Sequence, residues 1–361
     1  METGDPMRAK KILVTGGAGY IGSHTVVELV RAGYEPVILD NFSNSERFII
    51  TRIRKITGRN VPLHTGDCAF REDVARVFRK EGHFHGIIHF AALKAVEESV
   101  SQPLRYYRNN LGGMLTMLEA AEQYRVPNFV FSSSCTIYGN PDKLPVRENA
   151  PVRKAASPYG ETKQIAEQML ETFIQSGVPL KAVSLRYFNP IGAHSSGLIG
   201  ELPLGVPKNL VPFITQTAAG LRKILQVYGD DYSTPDGTCI RDYIHVVDLA
   251  VAHIRALMYL ERKRTRTFYD VFNIGTGRGH SVLEILRTFE KVTGVKVPHK
   301  IAPRRSGDIA KIYAAAGKAK KELRWHAKRS LEDALSSSWA WQSQFLSIEA
   351  KRKLGQSKSP S

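Results

Sequence analysis

Tyr159 and Lys163 stand four residues apart at the start of a stretch that reads as a helix. Residues at i and i+4 share a helix face, so the ammonium can lie beneath the phenol and favour its ionised form. A tyrosine, ordinarily near pKa ~10, then becomes a base that works near neutral pH. Ser157 suits an N-cap and Pro158 the first helical position, which fixes where this helix begins. The spacing alone is weak, because Tyr259 and Lys263 repeat it. That second pair runs into Arg262-Lys263-Arg264 and reads as a solvated helix end. Upstream of Tyr159, an apolar strand over residues 128–131 delivers Ser132-Ser133-Ser134-Cys135-Thr136, whose hydroxyls either meet a substrate oxygen or cap a turn.

The elements that must position this pair begin with a strand over residues 11–15. Gly16, Gly19 and Gly22 follow, and then a helix to about residue 32. This strand-turn-helix setting makes Gly-x-x-Gly-x-x-Gly a dinucleotide loop whose amides receive a pyrophosphate. The next strand ends at Asp40, where a carboxylate holds a ribose diol and repels a 2'-phosphate, so NAD is expected over NADP. Asn41, Ser43, Asn44 and Ser45 supply further polar contacts. A strand over residues 61–65 leads to Asp67-Cys68, with Asp67 either meeting adenine or capping a helix. The buried run at 86–90 opens into Ala91-Ala92-Leu93-Lys94 at the strand end that faces a cofactor in an open α/β sheet.

Residues 103–124 read as one amphipathic helix with a stripe of Leu104, Leu111, Leu115 and Leu118 that covers the sheet or a partner subunit. Glycine and proline recur without periodicity from residue 191 to 212, marking a domain boundary. The expected organisation is α/β: a Rossmann-type doubly wound parallel sheet over 8–189, then a smaller α/β domain over 190–350. Part of 240–260 is expected to return to the first domain. Gly275-Thr276-Gly277 looks like a second dinucleotide loop, but Ser281 and Glu284 form a capping box, so it reads as a structural turn. The end, 351–361, is polar and expected to be disordered.

Composition narrows the class. The chain has 361 residues, 42% hydrophobic and 24% charged, which suits a globular fold with a substantial core. Three cysteines without paired spacing indicate neither a disulfide framework nor a zinc site, and His83 and His85 lack further ligands nearby. No metal is expected. With no apolar signal core or spanning run, a cytoplasmic protein is expected, without a membrane partner. The net charge of +17 is scattered and its densest runs lack interleaved aromatics, which argues against nucleic acid and for anionic small molecules.

With these segments in hand, the chain resembles the extended short-chain dehydrogenase/reductases and, among them, the UDP-glucose 4-epimerase (UDP-galactose 4-epimerase) family. The resemblance runs over residues 10–345. It is carried by the glycine loop through His24, Phe90-Ala91-Ala92-Leu93-Lys94, the 131–139 segment, Ser157-Pro158-Tyr159-Gly160, Leu185-Arg186-Tyr187-Phe188-Asn189-Pro190, residues 236–246 and Arg304-Arg305-Ser306-Gly307-Asp308. It implies reversible epimerisation of UDP-galactose and UDP-glucose at C4' through a 4-keto hexose, in galactose metabolism, with tightly held NAD regenerated each turnover. Tyr159 is then the base, Lys163 lowers its pKa and binds the nicotinamide ribose, and Ser134 bonds the sugar hydroxyl.

The cofactor contacts it implies add Tyr20, Ile21, Cys68, Phe90, Ala91, Ala92, Lys94, Asn109, Ser132, Tyr187 and Phe188 to those above. Arg241 and Arg305 match the diphosphate, and Asn189 and Asn209 match the nucleotide sugar. Lys94, Thr136, Phe188, Leu210, Gln226, Val227, Tyr228, Tyr243, Asp308 and Ile312 complete the implied substrate contacts. A 4,6-dehydratase would place an Asp-Glu pair where this chain has Cys135-Thr136, which disfavours elimination. Action on a UDP-uronic acid stays open, since the superfamily shares its core. A non-catalytic NAD-binding regulator would have lost the base, which this chain keeps. Ala92 replaces a glycine common in the family. Ile312 is intermediate between the bulky and small residues found there, which implies weak turnover of UDP-GlcNAc and UDP-GalNAc. A family-like homodimer would pair helices around 103–124 and 158–176.

Overall fold

The computed structural model describes residues 10–305 and 307–356. The chain runs β1 (Lys11–Thr15), α1 (Tyr20–Arg31), β2 (Glu35–Asp40), α2 (Phe48–Thr57), β3 (Leu63–Thr65), α3 (Arg71–Glu81), β4 (Gly86–His89), α4 (Val96–Ser101), α5 (Pro103–Tyr106), α6 (Gly112–Gln123), β5 (Asn128–Ser134), α7 (Pro158–Gln175) and β6 (Lys181–Tyr187). It continues through β7 (Asn189–Ile191), α8 (Leu210–Ala218), β8 (Leu225–Tyr228), β9 (Ile240–His245), α9 (Val246–Glu261), β10 (Phe268–Ile274), β11 (Gly279–Ser281), α10 (Val282–Thr293), β12 (His299–Ala302), β13 (Lys311–Ile312) and α11 (Leu331–Gln356).

Seven parallel strands form the main sheet in the order β10-β6-β5-β4-β1-β2-β3. The order reverses beside β1, and the crevice there lies at the carboxyl ends of the strands, where a doubly wound sheet binds its ligand. Strands buried on both faces read as continuous apolar runs, and β1 and β4 do so through Ile12, Leu13, Val14, Ile87 and Ile88. One core packs α1 and α9 on the sheet through Val26, Val27, Leu249 and Leu257. The opposite face carries α3, α6 and α7 through Val77, Met114, Met117 and Leu170.

A second layer stands over the crevice. In it β9 is flanked by β7, β11 and β13, while β8 pairs with β12. Its own core joins Ile191, Ile214, Val227, Ile285, Phe289 and Leu335. Residues 268–274 rejoin the first sheet as its edge strand, a return that a break at residue 190 does not anticipate.

Three local readings are corrected. Residues 103–124 are not one helix: α5 passes through a wide turn at Tyr107–Leu111 into α6, which shifts the phase of the apolar stripe. Leu104 and Leu115 are consequently exposed, and Tyr106, Met114, Met117 and Leu118 face the core. Tyr259 is buried rather than frayed: its hydroxyl donates to Glu322 (2.9 Å), and Lys263 lies 4.1 Å from its ring centre. Residues 351–356 continue α11 instead of forming a loose tail, while 357–361 lie outside the described residues. The capping box at Ser281 and Glu284 is present. No helix among the described residues is long and apolar enough to cross a membrane, and no group of His, Cys, Asp and Glu there could hold a metal ion.

Candidate active site

Ser157 caps α7 by accepting from the Gly160 amide (3.2 Å), with Pro158 in the first turn, and so the helix starts where its sequence says. Tyr159 and Lys163 are both buried on the face turned to β5. The ammonium donates to the Ser132 carbonyl (2.7 Å) and lies 4.8 Å from the Phe131 ring centre. Burial pushes its pKa down to about 8, against the attraction of Glu167. The phenol behaves differently from its sequence-based expectation. Burial first, and then Tyr187, hold its pKa well above the ordinary value, and only a hydrogen bond with Ser134 draws it down. The buried ammonium gives one of its three N–H donors to that carbonyl, and burial of the phenol outweighs the help it offers.

The hydroxyls of β5 split by strand alternation. Ser132 bonds Tyr187, and Ser134 accepts from the Thr136 amide (3.2 Å) beside Tyr159. Ser133 points to the other face, to Glu167. The Thr136 hydroxyl is buried with no hydrogen-bond partner among the described residues, a cost that a ligand atom would remove.

The glycine turn lies at the far end of the crevice. A Cβ at Gly22 would sit 2.1 Å from the Gly16 carbonyl, and one at Gly16 (φ +71°) 2.9 Å from the Ala91 amide, so both positions exclude side chains. The first helical bond of α1 runs from Ser23 to Gly19 (2.9 Å). The Tyr20, Ile21 and Gly22 amides ahead of it are the donors that a helix start leaves for an anion. Asp40 accepts from the Ala18 and Phe42 amides and the Ser45 hydroxyl, each at 2.9 Å. That uses three of a carboxylate's roughly four acceptor sites and leaves one for a diol. Asn41 bonds Asp67 (2.9 Å), while Ser43 and Asn44 are exposed on the same loop. Asp67 also accepts from Ala69 (2.9 Å) and lies three residues before the cap of α3, so it organises a turn and does not cap the helix. Cys68 is buried beneath it. These features fit NAD: an amide cradle for a pyrophosphate and a carboxylate for a ribose, with the nearby Arg47 guanidinium stacked on Phe42 (4.5 Å) and bonded to Thr65 (3.3 Å).

Phe90, Ala91 and Ala92 follow β4, and Lys94 lies beyond them. Asn110, unforeseen in the sequence, bonds both the amide and the carbonyl of Leu93 (2.8 and 3.0 Å) and Thr162 (3.0 Å), with Asn109 bonded to it in turn (2.9 Å). Behind the floor, Arg186 meets Glu167 through three contacts of 3.0, 3.1 and 2.6 Å. The sequence does not anticipate the pair; its one signal is a charged residue, Arg186, directly after the apolar Leu185 near the end of β6.

The second layer supplies the roof. Asn189 in β7 lies opposite Tyr243 in β9, and Ile312 lies beside Arg241. Ile312 is buried with Cys135, Tyr138 and Phe188. Asp308 holds Arg305 (3.1 Å) and Arg241 (3.7 Å), and Arg305 stacks on Tyr228 at 4.8 Å. Gln226 is exposed, whereas Val227 and Tyr243 belong to the second-layer core, with Leu210 against it. Only the backbone of Val227 is therefore placed to touch a ligand. Asn209 and Lys94 meet at Glu201 (2.6 and 3.4 Å), a residue with no local signal in the sequence.

The strand order, glycine turn and Ser134, Tyr159 and Lys163 set define an extended short-chain dehydrogenase/reductase. The family model described as GDP-mannose 4,6 dehydratase matches residues 13–337. The UDP-glucose 4-epimerase of Bacillus subtilis is 52% identical over 332 residues, covering 92% of this chain and 96% of that one. The human UDP-glucose 4-epimerase is 48% identical over 342 residues, covering 93% and 97%. A crystal structure of the Stenotrophomonas maltophila UDP-glucose-4-epimerase, with NAD and formylated UDP-arabinopyranose bound, superposes at a TM-score of 0.90 and 47% identity, covering 94% of this chain and 99% of that one. The chain belongs to the UDP-glucose 4-epimerase family.

Proposed function

We propose that this protein interconverts UDP-galactose and UDP-glucose by NAD-dependent inversion at C4' of the hexose. The observation that carries the reading is the buried Tyr159 phenol beside Ser134, with Lys163 one turn along the same helix. Tyr159 takes the 4'-hydroxyl proton and returns it once the ring has presented its other face. Ser134 holds the same oxygen through the exchange. Lys163 keeps a positive charge near the phenol and reaches a ribose hydroxyl. NAD, when bound, supplies the two-electron acceptor that oxidises and re-reduces C4'. The amides of residues 20–22 and the Asp40 carboxylate would hold it, with Asn41, Ser43, Asn44, Ser45, Asp67 and Lys94 along its length.

Residues 10–189 with β10 form the cofactor half in this reading, and the second layer grips the nucleotide sugar. Arg241 and Arg305 face the diphosphate, Asn189 and Asn209 the sugar nucleotide, and Thr136, Phe188 and Ile312 the hexose. Proton NMR of UDP-galactose with the purified protein tests the reading through the anomeric and H4' signals. Conversion to UDP-glucose is expected, and no conversion even with added NAD would overturn it in favour of another UDP-sugar or a regulator. Ile312 closes the hexose pocket only part way, so UDP-GlcNAc and UDP-GalNAc are expected to turn over more slowly. No turnover of either at high enzyme would refute that.

The reading includes a homodimer. It is supported by exposed Val96, Val100, Leu104 and Leu115, carried by α4, α5 and α6, which all pack on α7. A cytoplasmic location is supported by three buried free cysteines, Cys68, Cys135 and Cys239.

A further inference from the structure

Glu201 puts a negative charge into a cleft proposed to receive a diphosphate, which costs binding free energy unless the carboxylate does something else there. Its side chain is only 11% exposed. One oxygen, Oε1, accepts both from the Asn209 amide (2.6 Å) and from the Lys94 ammonium (3.4 Å). Lys94 follows β4 in the first layer and Asn209 precedes α8 in the second, so a single atom joins the two walls. Asn209 occupies the N-cap position of α8, yet its side chain is turned to Glu201 and not to the helix amides.

The backbone beneath the carboxylate is held from the opposite side. Trp341 of α11 donates its indole N–H to the Glu201 carbonyl (3.0 Å), and a Cβ at Gly200 would lie 2.4 Å from that indole. The Arg52 guanidinium lies 5.2 Å from the same ring centre.

We propose that Glu201 is a positioning residue that fixes the orientation of Asn209 and Lys94 so that both walls meet one nucleotide sugar. This rests on the proposed role of those two residues as nucleotide-sugar contacts. It makes the place of the oxygen, and not the charge, the thing that matters. Glu201→Asp keeps the charge but retracts the oxygen by one methylene, whereas Glu201→Gln keeps an acceptor in place.

Steady-state kinetics with UDP-galactose should show KM raised about tenfold in Glu201→Asp and Glu201→Ala, with kcat within about twofold, and no more than about threefold in Glu201→Gln. Because Glu201 acts through Asn209 and Lys94, Glu201→Ala placed on Asn209→Ala loses only the Lys94 share and should raise KM by about threefold rather than about tenfold. Similar KM values for the Asp and Gln variants, full additivity in the double variant, or a fall in kcat at constant KM would overturn the proposal. Should Glu201→Ala fail to melt cooperatively, the Asp and Gln pair decides alone. An inactive wild type would instead refute the epimerase reading, which keeps the two failures distinct.

Discussion

Floor and roof of the cleft both set arginine against carboxylate, and they do so in opposite ways. Below the site, Arg186 and Glu167 are each 8% exposed and joined by three contacts, with the guanidinium also donating to the Tyr138 hydroxyl (3.1 Å) and the Glu148 carbonyl (3.0 Å). Tyr138 in turn donates to Asn273 (2.6 Å). Above it, Arg305 is 44% exposed, Arg241 and Asp308 are 17% and 18% exposed, and Asp308 is shared by the two arginines at 3.1 and 3.7 Å. A desolvated pair with four of its five guanidinium N–H groups bonded has one arrangement, and removing a partner leaves a buried charge. A wet pair changes partners at little cost. On the proposed reading, the floor holds Tyr159 and Ser134 in register, and the roof releases Arg305 to an incoming diphosphate.

The comparison breaks most visibly at the base. Tyr159→Phe removes the proton acceptor while leaving the ring packed, and should lower kcat by about 10²- to 10⁴-fold with the melting temperature nearly unchanged. A residual rate near wild type would move the base elsewhere on the floor. Glu167→Gln is the matching test of support. It strands the Arg186 guanidinium in the core and should lower unfolding free energy by about 3–5 kcal/mol in denaturant titration. A cost below about 1 kcal/mol would mean that water already reaches the pair.

Acid sharpens the contrast. Burial depresses His24 and His89 to about 3, and His194, His245 and His253 to about 4. His89 ends β4, His24 and His253 lie in α1 and α9, which pack on the main sheet, and His245 ends β9, while Arg31 of α1 bonds His194 (2.9 Å). Each is harder to protonate folded than unfolded, where the pKa is about 6.5. Their contribution is whole above that value and is lost as pH falls toward 4 and then 3, each proton adding a slope of about 1.4 kcal/mol per pH unit. Denaturant midpoints measured from pH 7 to 4 should fall steeply, and a flat profile would mean that these imidazoles are hydrated.

These supports also mark where the sequence stops being legible. The start of α7 at Ser157, the glycine turn, Asp40 and the Ser281 capping box are set by neighbours within a few residues, and pattern reading finds them. Glu201 depends on Asn209 in the aperiodic loop eight positions on and on Lys94, 107 positions away, and Tyr259 on Glu322, 63 away; no periodic or capping signal encodes them. The leucine stripe misled for a different reason. The wide turn at 107–111 rotates α6 relative to α5, so a single helical period cannot describe both. Val227 and Gln226 take opposite faces as neighbours in a strand must, but which of them is buried is decided by the second-layer core packed on β8.

The smallest effect should come from the roof. Asp308→Asn removes the carboxylate that both Arg241 and Arg305 contact, and because Arg305 is 44% exposed and can turn to water, folding stability should change by only about 1 kcal/mol. Both guanidinia keep their charge, so the long-range attraction of the diphosphate survives and even grows. What is lost is their shared aim. KM for UDP-galactose should rise about three- to tenfold with kcat within about twofold, since the floor that carries the proton is untouched. A drop in kcat of the same size would show that Asp308 also governs how the hexose meets Tyr159, and the division between a fixed floor and an adaptable roof would fail there.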